Sequence, residues 1–289
     1  MNYFLHLIVL IELYVILSLS LNLMVGYMGL VTMAHAAFFG IGAYISTLLM
    51  INYGFDFLLS LLFAIAGAYV LSFFVSFSSL RFRGDYFILV TLAFQIIVFS
   101  ILYNWIEITR GPYGIPGIPK PNIFGLKIDT LVSFSIFGFI LMLIVCGILI
   151  VVFRSPFGRV LQAIRDDELA TTSLGKGTAS FKLRSVGIAS VCAAVAGTLY
   201  ATYVTYIDPT SFTLNESILL ISMVIVGGTG NIKGPILGAI LLVLLPELLR
   251  FLAIPDSFAA NLRLIIYGLL LIILMRFRTQ GIAGKYKFE

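Results

Sequence analysis

The sequence predicts an all-α, polytopic membrane protein. Of its 289 residues, 61% are hydrophobic and 11% are charged, whereas soluble globular chains carry about 25% charged residues. Apolar runs recur along the chain that match the length of about 20 residues a helix needs to cross a bilayer core. We therefore expect a single transmembrane domain over residues 1–289, built of about eight to ten helices.

Nine apolar runs are the candidate spans. They lie at about residues 3–24, 30–50, 57–80, 86–105, 130–153, 184–206, 216–229, 235–253 and 259–276. The first is expected to be a retained span and not a signal peptide, because no basic segment precedes it and Glu12 and Asn22 interrupt it. Glycines interrupt the pattern at 24–34 and 226–236, which predicts one or two broken or re-entrant helices.

The distribution of Lys and Arg predicts the orientation. With alternating crossings and the N-terminus outside, thirteen of the 18 cations fall in inner loops and five in outer loops. This asymmetry follows the positive-inside rule and predicts a cytoplasmic C-terminus. The outer loop at 109–125 contains four prolines and four glycines, so we expect an irregular cap there.

Charge is concentrated in one inner loop, at about residues 154–183. Nine of the 31 charged residues lie between Arg154 and Arg184. The loop opens with Ser155 and Pro156, which are typical of a helix cap followed by the first helical position. The sequence therefore predicts that a helix starts as soon as the chain leaves the membrane.

The pattern after Pro156 is amphipathic. Apolar residues alternate with charged ones, the apolar set being Leu161, Ile164 and Leu169 and the charged set Arg159, Arg165, Asp166, Asp167 and Glu168. This predicts one short helix along the cytoplasmic face, ended by Gly175 and Gly177. A solvated loop that only sets topology is one interpretation. Topology needs only Lys and Arg, however, so three consecutive acids favour a polar docking surface.

Small residues form a second set of candidates. The segments 21–44 and 226–239 contain glycines that allow close helix packing or line a path, namely Gly26, Gly29, Gly40, Gly42, Gly227, Gly228 and Gly230. His35 lies within the first segment, where hydrogen bonding inside the bundle is the alternative to a path-lining role. Glu12 is either a functional acid within a span or a residue that bonds a neighbouring helix or lies near the outer surface.

Several kinds of chemistry are excluded by spacing. The fragment LGKGT at 174–178 resembles the end of a phosphate-binding loop, but Ala170 and Gly177 occupy positions that require Gly and Ser or Thr. The two histidines, His6 and His35, have no metal-ligand spacing to Cys, His or acids. No catalytic constellation, metal site or nucleic-acid-binding pattern is visible, so we expect a chain that is not an enzyme.

Five sequence blocks, in order along the chain, carry a resemblance to known proteins. The blocks are GYMGLVTMAHAAFFGIGAY at 26–44, RFRGDYFILVTLAF at 81–94, RGPYGIPGIP at 110–119, FGRVLQAIRDDELATTSLG at 157–175 and MVIVGGTGNIKGPILGA at 223–239. Together they resemble the LivM-like inner-membrane permeases of bacterial ABC importers for branched-chain amino acids. The resemblance covers nearly the whole chain. It implies the ABC importer permease architecture and a place in a bacterial or archaeal inner membrane.

The resemblance also implies partners. These are a second, related permease subunit, two ATPase subunits that bind ATP and Mg²⁺, an extracytoplasmic binding protein and the surrounding lipid bilayer, so no cofactor is expected in this chain. Glu168, Leu169, Ala170 and Gly175 resemble the family's ATPase-docking motif, with Leu in its middle place and one extra residue before the glycine. A urea or short-amide ABC permease and an ion-coupled secondary transporter are the alternative functions.

Overall fold

The fold was analysed in a computed structural model, which describes residues 2–82, 84–123, 125–250, 265, 268, 269 and 281–283. Within them lie eleven α-helices: α1 Asn2–Asn22, α2 His35–Tyr53, α3 Phe57–Arg81, α4 Asp85–Asn104, α5 Ile106–Thr109, α6 Leu131–Arg154, α7 Pro156–Asp166, α8 Glu168–Ser173, α9 Thr178–Val204, α10 Leu214–Gly227 and α11 Lys233–Arg250. A π-helical turn, Leu23–Tyr27, extends α1. Most of the predicted span at 259–276 lies outside the described residues.

The helical, multi-pass fold predicted from composition is confirmed. Six of the described helices are long and apolar enough to cross a membrane, namely α1 with its π-helical turn, α2, α3, α4, α6 and α9. The run predicted at 216–229 is different, because α10 has only 14 residues. Such a helix is about 21 Å long, shorter than the hydrocarbon core of about 30 Å. It is therefore one part of a broken segment.

The centre of the bundle is formed by α2 and α9, which pack through small residues. Gly42 approaches the backbone of Ala194, and Gly197 approaches the carbonyl group of Phe39, so closely that neither site has room for a methyl group. In contrast, α3, α4 and α6 expose large apolar side chains, such as Leu62, Phe74 and Leu89, each more than half exposed. These three helices have the outward faces expected of helices in contact with lipid.

Loops that the charge pattern assigned to the inner side gather at one end of the bundle. The ring of Tyr27 after α1 stacks on that of Phe153 at the end of α6, with centroids 4.2 Å apart. The Lys182 ammonium at the start of α9 donates to the carbonyl oxygen of Ser79 at the end of α3, 3.4 Å away. This basic end carries the predicted docking loop.

The opposite end carries the predicted cap, which is irregular as expected. A 3-10 turn, Gly111–Tyr113, leads into β1 Ile115–Pro116, which pairs with β4 Tyr206–Ile207 in antiparallel fashion. A second short pair joins β2 Asn122–Ile123 to β3 Leu126–Lys127. The cap is thus fastened to the chain that leaves α9.

Both predicted helix breaks are present. Residues 28–34 connect the π-helical turn to α2 without regular helix, and residues 228–232 separate α10 from α11. The chain before α10 also enters the bundle, because Phe212 packs on Phe39 with ring centroids 5.0 Å apart. The Ser217 hydroxyl of α10 accepts a hydrogen bond from the amide of Ala36 at the start of α2, at 3.0 Å. The first turn of α10 therefore packs against the start of α2.

The close packing of α2 on α9 makes a stability prediction. We expect Gly42→Ala to lower the stability of the folded protein by about 1–3 kcal/mol, because the added methyl group overlaps the Ala194 backbone. Gly147→Ala in α6 is the matched control, since nothing lies within 4 Å of its added methyl group and alanine favours the helix. Thermal unfolding in detergent measures both; equal midpoints would contradict the packing argument.

Candidate functional site

The charged loop is built of two helices, where the sequence predicted one. Its start is as predicted, with Pro156 in the first position and the Ser155 hydroxyl accepting from the amide of Gly158 at 3.4 Å. The helix then breaks at Asp167, which is extended (φ −157°, ψ 108°) and caps α8 by accepting from the amide of Ala170 at 3.0 Å. The prediction of a single helix was wrong, because Asp is more favourable as a helix cap than inside a helix.

The break changes which apolar residues are buried. Leu161 and Ile164 of α7 are buried, but Leu169 of α8 is 70% exposed. Leu174, just after α8, is 82% exposed. The prediction that Leu169 shares one apolar face with Leu161 and Ile164 was therefore wrong, because α8 does not continue the face of α7. We call α8 together with Leu174 the apolar knob of this loop.

The candidate docking residues divide into two groups. Arg159, Asp166, Asp167, Ala170 and Gly175 are exposed. Arg165 and Glu168 instead turn inward, with only 11% and 18% of their side chains exposed. Within the exposed group, Asp166 and Asp167 place negative charge directly before the apolar knob. The inward pair connects the loop to the transmembrane helices.

Glu168 connects α8 to α9. Its carboxylate forms an ion pair with the Lys182 ammonium at 2.7 Å, and Lys182 also donates to the carbonyl oxygen of Ser79 in α3. Lys182 is buried, and the sequence reading counted it only as a topology determinant. A cation one turn inside the start of a helix was the available signal. The pair fixes the apolar knob to the ends of two transmembrane helices.

Arg165 connects α7 to the first helix break. Its guanidinium donates from Nη1 to the carbonyl oxygen of Gly26 at 2.7 Å and from Nη2 to Asp166 at 2.9 Å. The aliphatic part of Arg165 lies over Gly29, where a Cβ atom would come within 2.6 Å of the arginine Cγ. Gly29 also has a left-handed backbone with φ of 72°. The surface helix thus reaches the chain just beyond α1.

The two helix breaks meet at Asn22. Its side-chain amide donates to the carbonyl oxygen of Asn231 at 2.8 Å, and its Oδ1 accepts from the amide of Gly230 at 3.3 Å. Gly26 lies so near that a Cβ atom there would be 2.6 Å from the Gly230 amide nitrogen. We call Asn22, Gly26, Gly230 and Asn231, with Arg165, the break junction. Asn22 was noticed in the sequence only as an interruption of an apolar run.

The second break is closed by its own glycines and by a C-terminal segment. Gly227 and Gly228 pack directly on the backbone of Gly234, which leaves no room for side chains. The amides of Ile282 and Ala283 donate to the carbonyl oxygens of Val226 and Gly227 at 3.0 and 2.9 Å. The end of α10 therefore has partners for the carbonyl groups that a broken helix leaves free.

The remaining candidates lie away from the break junction. Gly40 packs on Phe212 and Gly42 on Ala194, so both mediate contacts between segments. His35 is fully buried and its Nε2 lies 2.8 Å from the Ser20 hydroxyl. Glu12 is buried and accepts a long hydrogen bond of 3.5 Å from Ser135 in α6. Of the interpretations given above for Glu12, the structure agrees with a bond to a neighbouring helix.

Two further features concern possible ligands. The described residues include no group of three or more His, Cys, Asp or Glu side chains that would hold a metal ion. One cavity of about 160 Å³ lies between α1, α2, α9 and the start of α10. Its lining includes Tyr14 of α1 and Glu216 of α10. Sequence reasoning missed Glu216, although an acid at the start of an apolar run was the available signal.

Comparison with known proteins agrees on one family. The family described as the permease component of branched-chain amino acid transport systems matches residues 3–275. The high-affinity branched-chain amino acid transport system permease protein LivM of Escherichia coli is 38% identical over 93% of this chain and 67% of its own length. The corresponding LivM of Salmonella typhimurium is 37% identical over the same shares.

A more distant similarity covers half of the chain. The autoinducer 2 import system permease protein LsrC of Yersinia enterocolitica is 30% identical over 52% of this chain and 44% of its own length. No solved structure matches the chain at a comparable level of significance.

The break junction makes a second stability prediction. We expect Asn22→Ala to cost about 1–3 kcal/mol, because the amide of Gly230 and the carbonyl group of Asn231 lose their partner in a buried place. Asn104→Ala is the control, since Asn104 is exposed and its one side-chain hydrogen bond within the described part of the chain is to the carbonyl oxygen of Ser100 in its own helix. The unfolding midpoints of the two purified variants test this prediction. If Asn22→Ala lowers the midpoint no more than Asn104→Ala does, the bonds at the break junction do not stabilise the protein.

Proposed function

The chain belongs to the family of permease components of branched-chain amino acid transport systems, and on this premise we propose that it forms the path for leucine, isoleucine and valine in an ATP-driven importer, together with a second permease subunit. The observation that carries the proposal is the family match over residues 3–275. As a permease component the chain is part of a transporter and not an enzyme, and this family needs no cofactor of its own.

The partners follow from the type of system. A permease of an ABC importer works with ATPase subunits and, in our proposal, these are two ATPases on the cytoplasmic side, a homologous permease and an extracytoplasmic binding protein. The basic end of the bundle is then the cytoplasmic end, which agrees with the positive-inside rule. In this proposal the protein lies in the inner membrane of a bacterium or archaeon, with its C-terminus in the cytoplasm.

The apolar knob is the proposed contact with an ATPase. Exposed Leu169 and Leu174 provide an apolar centre, and the adjacent Asp166 and Asp167 provide charges at the rim. Interfaces commonly combine an apolar centre with a polar rim, and the charges provide partner specificity. The 70% and 82% exposure of these two leucines on a surface segment supports docking over a loop that only sets topology.

Arg165 and Glu168 are the proposed means of transmission. When the ATPases close on ATP, the apolar knob moves with them, and the Glu168–Lys182 pair carries this movement to α9. Arg165 carries it to the break junction through its bond to Gly26. The transmembrane helices then shift between outward and inward openings, as a change in the population of two states.

The first functional prediction distinguishes between the candidate functions. In vesicles containing the complete complex, we expect ATP to drive uptake of labelled leucine but not of labelled urea. We expect no uptake when a proton gradient is imposed in the absence of ATP. Urea uptake would support the short-amide permease, and ATP-independent leucine uptake would support a secondary transporter.

A second prediction concerns the docking loop. We expect Leu169→Glu to reduce ATP-driven uptake about tenfold or more, because a charge replaces the apolar centre of the contact and such losses reach 2 kcal/mol or about thirtyfold at interface centres. Leu169→Met, which keeps an apolar side chain, is the matched control. The variant protein should still enter the membrane, so co-purification of the ATPases measures docking separately. Normal uptake in Leu169→Glu would refute the docking role.

A third prediction concerns the family motif. We expect Glu168→Gln to leave the protein in the membrane but to uncouple ATP hydrolysis from uptake, because the buried Lys182 loses its ionic partner. Gly175→Ala should act in the same direction, since Gly175 has a left-handed φ of 77°. Uptake and ATP hydrolysis are measured on the same vesicles. Full uptake in both variants would rule out transmission through this loop.

A further inference from the structure

The cavity beside Glu216 has an uneven distribution of polar groups. Its apolar wall is formed by Leu13, Leu17 and Phe39, and its polar wall includes Tyr14, Ser211 and Glu216. Among the described residues, no Lys or Arg lines it. A cavity of about 160 Å³ is comparable to engineered cavities of about 150 Å³ that hold benzene, so a branched aliphatic side chain fits.

Glu216 has an unsatisfied oxygen. The carboxylate shares a hydrogen bond with the Tyr14 hydroxyl, but its buried Oε1 has no hydrogen-bond partner among the described residues. A buried carboxylate oxygen without a donor is costly. This oxygen therefore calls for a donor that the described residues do not supply.

The neighbouring hydroxyl groups do not supply such a donor. The hydroxyl of Ser211 lies 3.0 Å from Asp208 Oδ1, and that of Thr210 lies 2.8 Å from the same oxygen. Both hydroxyls donate to Asp208, and the Ser211 oxygen also accepts from the hydroxyl of Tyr200, which lines the cavity too, at 3.4 Å. A hydroxyl oxygen has two lone pairs, so Ser211 and Thr210 keep acceptor capacity. The polar wall thus offers acceptors and negative charge, which suits a group with several donors and a positive charge.

We propose that this cavity is a transit site for the ammonium group of an aliphatic amino acid, with Glu216 as the binding residue and Leu13, Leu17 and Phe39 against the side chain. This inference rests on the proposed function and specifies how that path recognises its substrate. An ammonium group has three donors, which match Glu216 Oε1 and the hydroxyl oxygens nearby. Urea has no positive charge and lacks this match.

The site is connected to the break junction by both helices that hold it. Tyr14 and Asn22 lie on the same helix, α1, and α10 runs from Glu216 to the break after Gly227. A movement of the junction therefore changes the relative positions of Tyr14 and Glu216. ATP-driven motion at the basic end can in this way open the ammonium site and release the amino acid.

Binding to the purified complex tests the recognition directly. The probes are 3-methylbutylamine, which has the ammonium and the branched side chain, and 4-methylpentanoate, which has only a carboxylate. We expect the amine to raise the unfolding midpoint of the wild-type complex and the carboxylate to leave it unchanged. In Glu216→Gln we expect the amine's effect to disappear. An equal shift in both proteins, or none in the wild type, would overturn the assignment.

Transport provides the second readout. We expect Glu216→Gln to reduce leucine uptake per ATP hydrolysed about tenfold or more, since it removes a charge-assisted bond, and Glu216→Asp to restore part of it. Glu12→Gln is the control, because Glu12 is a buried acid bonded to Ser135 that does not line the cavity. If Glu216→Gln and Glu12→Gln transport equally, the site is refuted while the proposed function stands.

Two further outcomes are covered by the design. Should Glu216→Gln fail to assemble, Thr210→Trp tests the same site, because Thr210 is exposed at the cavity and a bulky residue there blocks it; unchanged amine binding and uptake in this variant would then refute the site. A different result is that the wild-type complex takes up no leucine, while the amine binds the wild type and not Glu216→Gln. The proposed function then fails and the ammonium site remains.

Discussion

The structure depends on satisfying the backbone where two helices break within the protein. Non-helical backbone at membrane depth is tolerated only when protein covers it or water reaches it. Here the two breaks lie side by side and supply each other's partners through Asn22, which bonds both Gly230 and Asn231. Arg165 satisfies the carbonyl group of Gly26 from outside the helix. The same bonds that make the breaks tolerable also tie the surface loop to them.

The charged loop is therefore bonded directly to the membrane helices. Its residues form an exposed set, which is the proposed docking surface, and an inward set, Arg165 and Glu168, that joins the membrane helices. The ion pair of Glu168 with Lys182 is largely shielded from water, so it is less screened than a surface pair. A force applied at Leu169 has short, bonded routes to both α9 and α1.

The glycines that once suggested a path mostly allow segments to approach. At Gly42 and Gly197 two helices meet with backbone contact, and such small-residue contacts are the common way for helices to associate where lipid removes the hydrophobic driving force. The cavity beside Glu216 is lined differently, by large apolar and hydroxyl-bearing side chains. The close packing and the proposed ammonium site therefore use different kinds of residue, and Phe39 takes part in both.

The sequence by itself determined the helical membrane fold, the two breaks, the irregular cap and the place of the charged loop. Each of these follows from local composition: apolar runs, glycine and proline positions, and clusters of charge. Tertiary structure alone decided that Leu169 is exposed and that Arg165, Asn22 and Gly230 meet. It also placed Glu216 against Tyr14, about 200 residues away in the chain. Contacts between distant segments depend on how helices pack, and helical periodicity identifies a buried face without naming what covers it.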